Sequence, residues 1–164
     1  MEREKRIILV AHCVINQNCV VYPLARAKGP FSFVDTLIKN DIGIYQLPCP
    51  EFKFLGLKRK PQTKEEYDCS EFRNLCKGLT SYVMPDIKEY INNNFKIVGI
   101  IGINESPTCS ISNNRGIFME ELFKALESAN ITIPYIEVPA EYENNSTYIN
   151  KINLDIINLI ENSK

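Results

Sequence analysis

No stretch of this chain approaches the ~18 consecutive apolar residues that a membrane-crossing helix requires, so no membrane span is expected. Neither sign of charge is in excess. Nineteen Lys and Arg stand against twenty Asp and Glu, for a formal net charge of -1. That balance excludes a generic nucleic-acid binder working through a positive surface. The chain contains no Gly-x-Gly-x-x-Gly and no Gly-x-x-x-x-Gly-Lys-Ser/Thr, so neither common phosphate-cradling loop is available. No two cysteines are spaced Cys-x-x-Cys, which removes the usual zinc-ribbon and bacterial ferredoxin patterns. There is no internal repeat and no low-complexity linker. The opening Met1-Glu2-Arg3-Glu4-Lys5-Arg6 is charged and lacks the apolar core of a secretory signal, so a cytoplasmic location is expected.

What remains is an ordinary globular composition with an unusual set of thiols. The 164 residues are 45% hydrophobic and 24% charged. One domain covering residues 1–164 is expected, long enough to bury about two-thirds of its unfolded surface without help from a metal or disulfide. Four apolar runs read as strands: Ile7–Ala11, Ile42–Leu47, Ile97–Ile103 and Thr132–Val138. The first and third are continuous rather than alternating, as strands covered on both faces are. Helical patterns lie between them. They cover Phe31–Lys39, then Lys64–Val83, opened by a Thr63/Glu66 capping-box spacing, and then a separate short helix from Pro85 to Asn92. Ile117–Ser128 and Thr147–Asn162 complete the set. The alternation predicts an α/β fold: a small three-layer Rossmann- or flavodoxin-like parallel sheet, order 2-1-3-4, with helices on both faces.

Six cysteines are too many to pass over. In a reducing compartment they are expected as buried small hydrophobes, metal ligands or reactive thiols rather than a disulfide framework. Cys13 follows the first strand by two residues, Cys49 the second by two, and Cys109 the third by six. Ligands of open parallel sheets bind beyond the carboxyl ends of the strands where strand order reverses. Three residues far apart in sequence are thereby expected to converge. Soft thiolate donors suit an iron–sulfur cluster better than a hard ion. Three of them would leave one iron of a [4Fe–4S] cluster without a protein ligand.

The segments around these cysteines carry a resemblance. His12-Cys13-Val14-Ile15-Asn16, Cys49-Pro50-Glu51 and Ser106-Pro107-Thr108-Cys109 resemble, in order and separation, the three signature blocks of the thiouracil desulfidase (TudS) family. The Gly56-Leu57-Lys58-Arg59 stretch followed by Pro61 resembles the family's segment after Cys-Pro-Glu. The cysteine positions are kept. Asn16, Val21 and Ser110 depart from the glycine, arginine and glycine of the family pattern. The resemblance implies a [4Fe–4S] cluster on Cys13, Cys49 and Cys109. It implies a non-redox hydrolytic removal of sulfur from a small thiocarbonyl substrate, with Glu51 and Ser106 as catalytic residues beside the cluster.

Each residue also has a plainer reading. Glu51 is either the group that moves protons or a capping carboxylate. Ser106 either hydrogen-bonds substrate or serves the Glu105-Ser106-Pro107 turn. His12, the only histidine, is a base or a loop-ordering residue. Cys19 is a spare ligand, a sulfur relay or a bystander. Cys69 and Cys76, seven apart, are expected to face a helix core. Lys58, Arg59 and Lys60 are expected to form a solvated loop or to meet an anionic substrate group. Two other functional classes stay open: a flavodoxin-like binding module without catalysis, and a structural zinc site on cysteines and His12.

Overall fold

Four short apolar segments pair into one parallel sheet in the computed structural model, which describes residues 1–163. The strands are β1 (Arg6–Val10), β2 (Gly43–Gln46), β3 (Lys96–Ile103) and β4 (Tyr135–Val138), in the order β2-β1-β3-β4. β1 pairs with both β2 and β3. Leu9 lies opposite Tyr45 on one side and Ile100 on the other. The two inner strands are the continuous apolar runs, and their burial explains the pattern. Ile8, Leu9, Val10, Ile100 and Ile101 are fully buried, because helices cover both faces. The outer strands β2 and β4 are shorter and only partly buried.

Seven helices connect and cover the strands: α1 (His12–Ile15), α2 (Val34–Lys39), α3 (Pro50–Leu55), α4 (Lys64–Tyr67), α5 (Ser70–Asn92), α6 (Ile117–Ser128) and α7 (Ser146–Glu161). α2 and α7 pack together on one face, α7 against β3 and β4. α5 lies against β3 on the other face, with α6 and α3 beside it. This is a small three-layer α/β fold of the Rossmann or flavodoxin kind. A connected apolar core spans the sheet and both helical layers. Among the described residues no helix is long and apolar enough to cross a membrane.

Three local expectations are corrected. The helix expected from Phe31 begins at Val34. Phe31 and Phe33 are buried ahead of it, each with its ring centroid 5.5 Å from that of Tyr142 in edge-on contact. The helix expected over Lys64–Val83 is broken at Asp68–Cys69. The Thr63/Glu66 capping box forms and starts α4, but Cys69 is extended and α5 restarts at Ser70. Pro85 starts no new helix, because α5 runs through it to Asn92. Both Pro85 and Ser81, whose carbonyl loses its partner, are exposed residues on the solvent side of the helix, where the missing bond costs least. The apolar stripe Phe72, Cys76, Val83, Met84 and Ile87 meanwhile continues across the proline and holds the helix to the core.

Candidate functional site

The carboxyl ends of β1, β2 and β3 open onto one cavity of about 110 Å³. On that measure a single water needs roughly 10–15 Å³, so several waters or a compact ligand fit. Cys13, Cys49 and Cys109 all line it, together with Glu51, Ser106, His12, Cys19 and Arg59. A larger open groove of about 620 Å³ lies beside α6, but no cysteine lines it.

Each thiol arrives by a different piece of local structure. β1 ends at Val10 and the chain turns at once into α1, which puts Cys13 in its first turn. The Gln17 side-chain amide donates to the Cys13 carbonyl at 2.7 Å and accepts the Arg26 backbone N–H at 2.9 Å, tying the following loop to the thiol. Cys49 is the N-cap of α3, with Pro50 in the first turn where its missing N–H costs nothing. Glu51 follows in that same turn, so Cys49 and Glu51 share one helix entrance.

Cys109 sits on the loop after β3, which folds back over its own strand. The Ile103 N–H donates to the Cys109 carbonyl at 3.0 Å. Ser106 Oγ accepts the backbone N–H groups of Thr108 and Cys109 at 3.3 and 3.0 Å. The plainer turn role of Ser106 is thus filled, and the residue still lines the cavity. Two glycines permit the fold-back. A Cβ on Gly102 would meet the Cys109 carbonyl oxygen at 2.7 Å, and one on Gly116 would meet the Thr108 carbonyl carbon at 2.3 Å. Glu137 accepts the Ile111 N–H and the Ser112 hydroxyl and anchors the far end of the loop.

Polar groups bridge these pieces. Thr108 Oγ1 donates to Glu51 Oε1 at 2.8 Å, joining the third cysteine loop to the second. Arg59 corrects an expectation: it belongs to no solvated run. Lys58 and Lys60 are exposed, but the Arg59 side chain is only 2% exposed. Its guanidinium donates to the carbonyls of Gly56 (2.9 Å) and Cys19 (2.7 Å). Its Nε lies 3.4 Å from Glu51 Oε2, an ion-pair distance too loose for a hydrogen bond. Arg26 Nη2 donates to the Asn104 carbonyl, while its Nη1 is buried without a partner. His12 Nδ1 is 3.2 Å from the Leu47 carbonyl oxygen. A carbonyl only accepts, so Nδ1 carries the proton and Nε2 is left as an acceptor.

Burial sets the protonation of the thiols. It pushes Cys13 up to about 12, with Cys49 nearby adding to the effect. It pushes Cys109 well above the ordinary thiol range. The interaction between the neighbouring Cys19 and Cys49 thiols raises Cys19 and holds Cys49 below the usual value. Cys49 is therefore the most readily ionised of these thiols, and any metal centre here must displace protons from the others. Among the described residues no three His, Cys, Asp or Glu side chains stand at closed metal-ligand spacing. Burial also lowers the pKa of His12, which favours neutral imidazole.

Cys69 and Cys76 lie elsewhere. Cys76 is buried in the core on α5, and Cys69, the N-cap of that helix, is half-buried against the same core. Gln17 and Arg26 carried no signal in the sequence. A lone glutamine and a lone arginine in a loop match no motif, and only the fold brings them to the thiols.

The arrangement defines a class: an α/β protein with a thiol-lined, guanidinium-flanked site at the switch point of a parallel sheet. The chain is 47% identical over 146 residues to a protein of Methanocaldococcus jannaschii, Uncharacterized protein MJ0003, an alignment covering 88% of this chain and 93% of that one. It belongs to the family of that archaeal protein. No protein-family model and no solved structure matches the chain.

Proposed function

We propose that the chain is a [4Fe–4S]-dependent desulfidase of the thiouracil desulfidase kind. It acts in the cytoplasm on a small thiocarbonyl compound and needs neither nucleic acid nor membrane. Cys13, Cys49 and Cys109 hold the cluster. The observation that carries this reading is the meeting of three thiols, from the ends of three neighbouring strands, with Glu51 around one cavity.

The donor set fits the group. Thiolates are the protein ligands of such clusters. A cluster held by thiolates is anionic, and the guanidinium groups of Arg26 and Arg59 flank the cavity. Buried N–H groups without acceptors, such as Arg26 Nη1 and Arg59 Nε, are costly, and sulfide or thiolate sulfur can accept from them. Six free cysteines also suit a reducing compartment.

When bound, the cluster supplies a Lewis-acidic iron with affinity for the sulfur of a thiocarbonyl. The residues of the chain do the rest. Exchange of sulfur for oxygen at one carbon consumes one water and releases hydrosulfide and a proton, with no electrons transferred. Glu51 takes the proton of the attacking water at a carboxylate oxygen. The Thr108 hydroxyl and the Arg59 guanidinium fix its orientation. The Ser106 hydroxyl accepts from two backbone N–H groups and donates its proton at 3.3 Å to Thr108 Oγ1, whose own proton goes to Glu51; turned from Thr108, that proton serves a substrate heteroatom. Val21 and Leu24 line the same cavity and help keep bulk water from it.

The test is turnover by anaerobically reconstituted protein on a panel of thiocarbonyl compounds, read as hydrosulfide release without an electron donor. Glu51→Gln should keep the cluster spectrum and lower turnover about a hundredfold or more. Ser106→Ala should cost less. A brown wild-type protein inert to the whole panel overturns the desulfidase reading. Yellow protein points instead to a flavin-binding module, and colourless zinc-loaded protein to a structural site.

A further inference from the structure

Four thiols, not three, surround the cavity. Cys19 lines it beside Cys13, Cys49 and Cys109. Buried cysteine is commonplace, and the plain alternative is a small hydrophobe filling the core. The packing of Cys19 argues otherwise. It is only 4% exposed, yet it is not part of the connected apolar core that contains Cys76 and Cys109. Its burial comes from the site itself. Its thiol lines the cavity together with Cys49, and its carbonyl is gripped at 2.7 Å by the buried Arg59.

The four thiols differ in how firmly the backbone holds them. Cys13 rides on α1 directly after β1, Cys49 caps α3, and the Cys109 loop is pinned by backbone bonds to β3 and α6. Cys19 ends a three-residue 3-10 turn, Gln17–Cys19, and no α-helix or strand follows until Val34. Three thiols are held by α1, by α3 or by backbone bonds to β3 and α6, whereas the Cys19 segment is held by its own short turn and by the side chains of Gln17 and Arg59.

We propose that Cys19 is a displaceable fourth ligand, closing the otherwise open iron in the resting protein and yielding to the sulfur of the substrate. This rests on the cluster reading above. On ligation the Cys19 thiol gives its proton to solvent and its sulfur bonds to iron. On displacement the iron–sulfur bond breaks, the incoming sulfur replaces it, and Cys19 takes a proton back. No oxidant or reductant is consumed. The gate would keep the iron from water and adventitious ligands until a sulfur ligand arrives.

The test uses the reconstituted full chain and sodium hydrosulfide as the probe ligand, read by electron paramagnetic resonance of the reduced cluster. Cys19→Ala should retain the cluster on the three remaining thiolates. It should bind hydrosulfide about tenfold or more tightly than wild type, because removal of an internal competitor raises the fraction of binding-competent sites. Mössbauer spectra of iron-57 protein should show four sulfur-ligated irons in wild type and one distinct iron in Cys19→Ala. Equal hydrosulfide affinity in the two proteins overturns the gate. So does loss of the cluster from both Cys19→Ala and Cys19→Ser while both remain folded, since Cys19 would then be a fixed ligand. A wild-type chain that takes up no iron and sulfide overturns the cluster reading itself. Normal loading with unchanged affinity overturns the gate alone.

Discussion

Arg59→Met should destabilise the metal-free protein by about 3–5 kcal/mol, the usual cost of removing one partner from a buried ion pair. The side chains involved are 2% exposed at Arg59 and 14% at Glu51, so solvent screens the pair little. Methionine keeps much of the volume but leaves Glu51 facing a neutral wall. It also strips the Gly56 and Cys19 carbonyls of donors held at 2.9 and 2.7 Å. The hydrogen bonds and the ion pair belong to one guanidinium and do not add, so the buried-pair figure stands for the whole. For a chain of this size that is a fall in melting temperature of roughly 10–15 °C. Arg59→Lys should fall between the two, since an ammonium keeps the charge but cannot span two carbonyls and a carboxylate. The assay is urea unfolding followed by circular dichroism, on reduced metal-free protein so that ligand binding does not contribute. An Arg59→Met protein within about 1 kcal/mol of wild type, the value of an exposed pair, would refute the argument and return Arg59 to the solvated loop.

Gly116→Ala should destabilise the fold by about 1–3 kcal/mol or more and disturb the Cys109 loop. The new methyl meets Thr108 backbone atoms at 2.3 to 2.5 Å, and backbone pinned at both ends cannot move aside. Thermal unfolding together with cluster loading reads both effects, and a protein with wild-type loading and stability would contradict the packing described. Metal-free stability should decline above pH 9. Burial raises Cys13 and Cys76 from an ordinary 9.0 to about 12, so between those values the native state holds protons that the unfolded chain has lost. The stabilisation from these thiols is complete below pH 9 and is lost as pH rises towards 12. The slope is up to about 1.4 kcal/mol per pH unit for each thiol. Urea midpoints at pH 8, 9 and 10 check this, and Cys76→Ala should flatten part of the slope.

Much of the scaffold was legible because it is written in local chemistry. The unbroken apolar runs at β1 and β3 announced inner strands, and the strand–helix alternation announced the parallel sheet and its order. Helix α6 was read with its observed ends, Ile117 and Ser128. Pro85 misled because its local helix-breaking tendency is outweighed by an apolar stripe that continues past it, with the proline itself on the exposed side. The four-residue α1 and six-residue α3 were missed, being too short to show a helical period. At the site, the cysteines could be picked out by their positions after strands, but their supports could not. Arg59 sits between two exposed lysines and looks like part of a charged surface. Only the fold carries it to Cys19, forty residues away, and to Glu51. Gly102 and Gly116 likewise give no sign in the sequence that they let the Cys109 loop close over β3.

The central claim is that Cys13, Cys49 and Cys109 hold one iron–sulfur cluster. The most direct measurement is the iron and acid-labile sulfide content of anaerobically reconstituted protein, wild type and single cysteine variants side by side. Wild type and Cys76→Ala should each bind about four irons and four sulfides and show the brown thiolate-to-iron absorption. Cys13→Ala, Cys49→Ala and Cys109→Ala should each lose or destabilise it while remaining folded. A wild-type chain that stays colourless and iron-free, or a Cys76→Ala protein that loses iron as completely as Cys13→Ala, would contradict the account.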